Sequence, residues 1–277
     1  MIISASRRTD IPTYFFKWFV KRLEEGFVLV RNPINASQVS KINLSPEYID
    51  CIVFWTKNPY PALSDLDKLS AYMYYFQFTL TSYGQEVEVN VPHKNARVID
   101  TFKRLSEKIG RDRVIWRYDP ILLSDRYTME YHFDHFGEIA LKLKDYTCKC
   151  TISFIDEYAK IRNDMARLNI STLTFKEKTD MAARLSKIAH ELGLSIDACA
   201  EDIDLGGLGI GRAKCIDDNL IERLVGCSLK VEKDKNQRLE CGCVASIDIG
   251  MYNTCENGCM YCYANHSQTS VRQNISY

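Results

Sequence analysis

Near the end of this 277-residue chain, Cys255, Cys259 and Cys262 lie within eight residues in the order Cys-x3-Cys-x2-Cys. Thiolates at that spacing on one tight loop can hold three irons of a four-iron cluster (4Fe-4S), which leaves the fourth iron open to a ligand that is not protein. A closed structural zinc site would need a fourth Cys or His close by, and His266 is the nearest candidate. The spacing therefore favours a redox cluster over zinc.

The chain holds eleven cysteines, eight of them beyond residue 198. An odd count with no visible leader points to reduced thiols and metal ligands rather than a disulfide framework. Cys199, Cys215 and the pair Cys241-Gly242-Cys243 supply four thiols from three segments, enough for a second iron–sulfur cluster or a structural zinc. A Cys-x-Cys pair suits adjacent positions on a cluster and is strained at one tetrahedral zinc, so the cluster ranks first. The plainer alternative is a set of buried free thiols, since Cys is among the most buried residue types. Cys227 is left over as structural.

These groups need a scaffold, and the pattern of apolar runs supplies one. Strand candidates are Ile2–Ala5, Phe27–Val30, Cys51–Trp55, Tyr74–Leu80, Val114–Trp116, Thr151–Phe154, Leu194–Ala198 and Val244–Ile249. Helical spacing falls between most of them: Phe15, Phe16, Phe19, Val20 and Leu23 share a face, as do Val98, Phe102 and Leu105, and Phe136, Ile139, Ala140 and Leu143. The longest helix runs from about Phe175 to Leu192, with Thr174 as cap and Gly193 as stop. Eight strands alternating with helices predict a (β/α)8 TIM-like barrel in one α/β domain over 1–277, with residues 199–277 carrying the cysteine-rich region. Polar and charged groups follow nearly every strand: SRRTDIP, RNP, TKNP, TSYGQ, RYDP, IDEY, CAED and the cysteine loop. In a parallel barrel those positions share one rim, where such folds place their active sites.

The loop Cys255-x3-Cys259-x-Tyr261-Cys262 resembles the signature of the radical S-adenosylmethionine (radical SAM) superfamily. CGCVASIDIGMYNTCENGCMYCYAN, together with SRRTDIP, resembles a bacterial radical-SAM-like family whose domain is of unknown function, and this likeness spans most of the chain. The resemblance implies that S-adenosylmethionine chelates the open iron and is cleaved reductively to a 5′-deoxyadenosyl radical acting on a small-molecule substrate. An electron donor such as ferredoxin or flavodoxin is implied with it. Superfamily members usually carry the cysteine loop after the first strand, whereas this chain carries it at the end. In a closed barrel the position of the chain break leaves the spatial arrangement unchanged. If the eighth strand pairs with the first, the loop sits beside Ser6–Asp10. By position alone, the resemblance then implies Arg7 or Arg8 on the cofactor carboxylate and Asp10 accepting from its amine. The glycine-rich motif that usually serves that amine is missing here. Asn253 and Tyr261, inside the loop, complete the cofactor-binding candidates with Lys57 and Arg117.

Each of these rim residues also has a plainer reading. Lys57 either contacts a cofactor carboxylate or caps a neighbouring helix, and Arg117 with Asp119 is either a substrate ligand set or a rim salt bridge. Glu201 and Asp202 either orient a substrate or balance Arg212. GGLGIGR lacks the Gly-Lys-Ser/Thr ending of a phosphate loop. Lys plus Arg equals Asp plus Glu at 36 each, so no global field recruits nucleic acid or an anionic membrane. That balance weighs against a nucleic-acid repair role, although Cys-x3-Cys-x-Tyr-Cys-Tyr is similar to the motif of the spore photoproduct lyases. A non-catalytic iron–sulfur or zinc protein, serving as redox partner or sensor, is the other alternative. With no apolar run of about 20 residues and no signal peptide, the expectation is a cytoplasmic protein.

Overall fold

The computed structural model describes residues 1–35 and 37–276. In chain order its strands are β1 (Ile2–Ala5), β2 (Phe27–Arg31), β3 (Val39–Asn43), β4 (Cys51–Thr56), β5 (Tyr74–Thr79), β6 (Val114–Ile121), β7 (Lys149–Phe154), β8 (Ser195–Ala198), β9 (Gly211–Arg212) and β10 (Ile247–Asp248). Its α-helices are α1 (Phe16–Glu25), α2 (Ile99–Ile109), α3 (Met129–Leu143), α4 (Arg162–Arg167), α5 (Phe175–Glu191), α6 (Asp218–Val225) and α7 (Gln268–Ile275). Eight strands form one sheet in the order β10-β1-β4-β5-β6-β7-β8-β9, and every pairing in it is parallel. This is a mixed α/β fold. No ladder joins β9 to β10 among the described residues, so the eight parallel strands are present without a detected closure into the expected barrel.

One strand assignment needs correction. Phe27–Val30 does not join the parallel sheet; β2 pairs antiparallel with β3 in a separate hairpin. The reason lies in its side chains: only Val28 is buried while Leu29 and Arg31 are exposed, whereas a strand inside a two-sided parallel sheet is buried throughout. The short β9, too brief for a sequence pattern to mark, takes the eighth place in the sheet instead.

Alternation along the strands sorts their side chains to two faces. Ile3, Ala5, Ile52, Phe54, Phe76, Phe78, Trp116 and Ile152 belong to the main core under the helices. There Phe54 stacks on Phe76 and Trp116 on Phe136, each pair with ring centroids 4.8 Å apart. Ile2, Cys51, Val53, Tyr75 and Ile115 point the other way and pack against Ile216, Leu220 and Ile221, the last two on α6, and against Cys215, Cys241, Cys243 and Val244. The cysteine-rich region thus fills the second face of the sheet.

The helices sit where spacing and caps place them. Phe16, Phe19, Val20 and Leu23 form the buried stripe of α1, which stops at Gly26 with φ +75°, its N–H bonded to the Leu23 carbonyl at 3.1 Å. Thr174 and Glu177 form a reciprocal capping box at the start of α5. Among the described residues no helix is long and apolar enough to cross a membrane.

Candidate functional site

Because the sheet strands are parallel, the segments after them meet along one edge. Pairing of Ile3 with Ile247 and Ser4 with Asp248 places the cysteine loop beside Ser6–Asp10, as expected if the last strand meets the first. Asp248 fixes that junction. Its carboxylate accepts from Ser4 Oγ at 2.7 Å, Ser6 Oγ at 2.7 Å, the Arg7 N–H at 2.8 Å and the Gly250 N–H at 3.0 Å. A Cβ at position 250 would lie 2.0 Å from Ser6 Oγ, so glycine there lets the last strand approach Ser6 without displacing it.

Other contacts anchor the loop itself. The Met260 N–H donates to the Val87 carbonyl at 2.8 Å, and the Asn90 N–H to the Asn257 carbonyl at 3.0 Å. Asn257 Nδ2 donates to Asp10 at 3.1 Å, while Tyr14 Oη donates to Asn257 Oδ1 at 2.9 Å. Beneath Cys259 lies a buried ionic network. Lys57 Nζ meets Glu88 at 2.8 Å and Tyr261 Oη at 2.7 Å, and Lys94 and Tyr261 also bond to Glu88. Burial would raise the Glu88 carboxyl, but Lys57 and Lys94 outweigh it and hold the group well below the usual carboxylate range. Burial likewise opposes charge on Lys57, and Glu88 reverses the outcome and raises its pKa. For Lys94 burial wins over Glu88, and its pKa is lowered.

A cavity of about 560 Å³ opens at this edge. Arg7, Arg8, Asp10, Lys57, Arg117 and Tyr261 all line it, together with Cys255, Cys259, Cys262, Cys199, Cys215, Cys241 and Cys243. Of the expected site residues only Asn253 lies outside the lining. It adopts φ +57° and turns its side chain to the His266 N–H, bracing the return of the loop instead of facing the cavity. Asp10 faces in, but its carboxylate caps the turn at Thr13 at 3.0 Å and accepts from the Lys57 N–H at 2.8 Å. Arg8 Nη1 donates to the Gly250 carbonyl at 3.3 Å, with its guanidinium over the Tyr252 ring. Arg7 lies over Trp55. Arg117 pairs with Asp119, with Nε to Oδ2 at 3.0 Å, so the rim salt bridge exists and it faces the cavity. Glu201 and Asp202 pair with Lys178 rather than Arg212. His266, the would-be fourth ligand, is exposed and turned to Lys160 at 3.4 Å.

All eleven cysteines are free thiols. In the tail loop, burial first and then the Asp10 charge push the Cys255 thiol up to about 12. Burial also raises Cys259 despite Lys57, and this thiol feels the charges of both Cys262 and Cys255. A metal would therefore bind with release of protons. Among the described residues no three Cys, His, Asp or Glu side chains converge on a point as ligands of a single ion do. A cubane asks for something else of Cys255, Cys259 and Cys262, because each thiolate meets a different iron. On residue type and placement the three thiols fit such a cluster.

The other four thiols are packed differently. Cys199 Sγ lies 3.3 Å from Cys215 Sγ, and Cys241 and Cys243 pack with Cys215 in one buried cluster. Arg117 Nη1 donates to Cys215 Sγ at 2.8 Å, and the Ile216 N–H to Cys243 Sγ at 3.4 Å. The hydrogen bond with Cys243 lowers Cys241 to about 7 against the effect of burial.

Sequence reasoning missed Glu88, Lys94, Asp248 and Asn257. Asp248 had a signal: it is the one charged residue inside the last apolar run. Glu88 and Lys94 had none, because they lie in a long loop and reach the site only through tertiary contacts.

A family model described as a domain of unknown function (DUF1848) matches residues 2–264. No curated protein and no solved structure matches the chain.

Proposed function

The chain belongs to that family, and from this premise and the geometry of the rim we propose that it is an iron–sulfur enzyme of radical S-adenosylmethionine type on a barrel-like parallel α/β scaffold. The observation that carries the reading is the set of three reduced, neighbouring thiols, Cys255, Cys259 and Cys262, opening into the cavity at the carboxyl ends of the strands. When bound, the cluster and S-adenosylmethionine supply one-electron cleavage of the sulfonium and a 5′-deoxyadenosyl radical.

The chain's own residues then bind, orient and exclude water. The three cysteines hold three irons. Arg8, braced on Gly250 and Asp248, presents a guanidinium beside the loop for the cofactor carboxylate. Asp10 and Asn257 tie that wall to the cysteine loop and keep its geometry fixed. Tyr261, held by Lys57 and Glu88, closes the floor. Trp55 and Tyr252 supply flat apolar walls, and Arg117, Asp119, Ser153, Asp156 and Arg238 line the cavity with polar groups suited to a small polar substrate. The electron comes from a ferredoxin- or flavodoxin-like donor.

Anaerobically purified protein with the cluster intact should show an altered electron paramagnetic resonance signal on adding S-adenosylmethionine, and should release 5′-deoxyadenosine once reduced. An intact, reduced cluster that gives neither change would refute the reading.

A further inference from the structure

We propose that Cys199, Cys215, Cys241 and Cys243 form a second, closed metal site in which four thiolates hold a soft metal, separate from the tail-loop thiols. The proposal stands without the radical reading above. It starts from assembly: the four side chains come from the end of β8, from the segment after β9 and from the segment before β10, and they meet in one group. Cys199 and Cys215 touch at 3.3 Å, and Cys241 and Cys243 share one buried cluster with Cys215. Three unrelated segments converge sulfur on sulfur, with no disulfide among them.

Charge gives a second, independent argument. Arg117 is 5% exposed and points Nη1 at Cys215 Sγ at 2.8 Å. Arg7 reaches Cys243, its nearest carboxylate is Asp234 at 3.9 Å, and its buried Nη2 has no hydrogen-bond partner among the described residues. Two guanidinium groups therefore face neutral thiols, which are weak acceptors; Asp119 pairs closely with Arg117, and Arg7 has only the more distant Asp234 at 3.9 Å and the charge of Asp248. Four thiolates around a divalent ion carry a net charge of about −2, as they do around a cluster core of that charge, and so match two guanidinium cations. The metal would replace four S–H protons and turn weak acceptors into strong ones.

Spacing bears on which metal it is. Thiolates around zinc at ~2.3 Å lie ~3.8 Å apart along a tetrahedral edge. The Cys199–Cys215 contact at 3.3 Å is a few tenths of an ångström inside that edge, and binding one ion would require the four side chains to rotate into ligand positions that they do not occupy in this arrangement. A cluster anchored by the same thiolates needs a wider separation. The shared chemistry is a tetrathiolate site, and metal analysis separates the two occupants.

The test uses the full chain, purified anaerobically, with zinc, iron and sulfide counted per chain. The triple variant Cys255→Ala/Cys259→Ala/Cys262→Ala removes the tail-loop site and should still retain metal: one zinc, or iron with sulfide. Adding Cys215→Ser should abolish that remainder, whereas adding Cys227→Ser should leave it unchanged. A folded triple variant without metal, or metal that survives Cys215→Ser, would overturn the site. Should these variants fail to fold, alkylation of the wild-type protein decides. Cys199 and Cys241 should resist iodoacetamide until a chelator is added, and equal labelling before and after chelation would overturn the proposal.

Discussion

Cys255, Cys259 and Cys262 come from eight consecutive residues and influence one another through charge, whereas Cys199, Cys215, Cys241 and Cys243 come from three segments and gather in one cluster, with Cys199 and Cys215 in direct contact. Their surroundings differ as well. The tail loop rests on a carboxylate clamped by two lysines, and the inner four face two arginines. Both sets line the same cavity, the first as thiols of one loop and the second as a group gathered from three segments. One scaffold edge thus carries two kinds of thiol site, one set by local spacing and one by the fold.

That difference also decides what the sequence made legible. The tail-loop residues are close in the chain, so their spacing alone marked them as candidate ligands. The inner four were visible only as a surplus of cysteines, and their mutual contact depends on strands β8 and β9 and on the packing of residues 215–244 against the sheet. Seven of the eight expected strands joined the parallel sheet, because runs such as Cys51–Thr56, buried at every position but Trp55, are long enough to show. Phe27–Val30 misled because a half-buried hairpin strand and a sheet strand share β-branched and aromatic residues. Arg7, Arg8, Asp10 and Lys57 could be expected at the cavity wall because they follow strands, and Glu88 was missed because no local rule points from a loop toward a buried lysine pair.

The strongest way to separate the two thiol sets is Cys259→Ala. It should remove the tail-loop cluster and the spectroscopic response to S-adenosylmethionine entirely, while metal at Cys199, Cys215, Cys241 and Cys243 persists. Loss of both metals together would mean that the sets are one unit. The readouts are metal content and electron paramagnetic resonance.

Next in size is the floor of the tail loop. Glu88→Gln leaves Lys57 and Lys94 buried without their counter-charge, a change that costs about 3–5 kcal/mol when a buried pair is broken. The folded pKa of Glu88 is depressed, so its contribution is present above the unfolded carboxyl value of about 4.3 and is lost as pH falls toward the folded value. Denaturant unfolding should therefore show wild-type stability falling below about pH 5 more steeply than that of the variant. Parallel acid limbs would remove Glu88 from the account of the loop.

A smaller effect is expected where the first strand meets the last. Gly250→Ala drives a methyl group into Ser6, whose Oγ holds Asp248 and accepts from the Arg8 N–H at 2.9 Å. Overpacking of this kind costs about 1–3 kcal/mol. It should weaken S-adenosylmethionine binding through Arg8 and leave the inner thiols undisturbed. Adding Ser6→Gly to the same chain clears the clash and should restore part of the stability, which thermal unfolding of the double variant would reveal. An unchanged midpoint in Gly250→Ala would mean that the junction gives way freely and does not set the wall of the cavity.

The smallest expected effect is the control for all three. Thr174 caps α5 through the Glu177 N–H, on an exposed helix start that takes no part in lining the cavity. Removing such a cap costs about 1 kcal/mol, which in a protein of this size lowers the melting midpoint by about 2–4 °C. Thr174→Ala should therefore reduce stability slightly while metal content, thiol protection and the cofactor response all stay at wild-type levels. If this remote change also stripped metal from either thiol set, loss of metal in the other variants would report general loosening of the fold rather than damage at a site. A midpoint shift with both metal counts intact ties the larger effects to the residues that cause them.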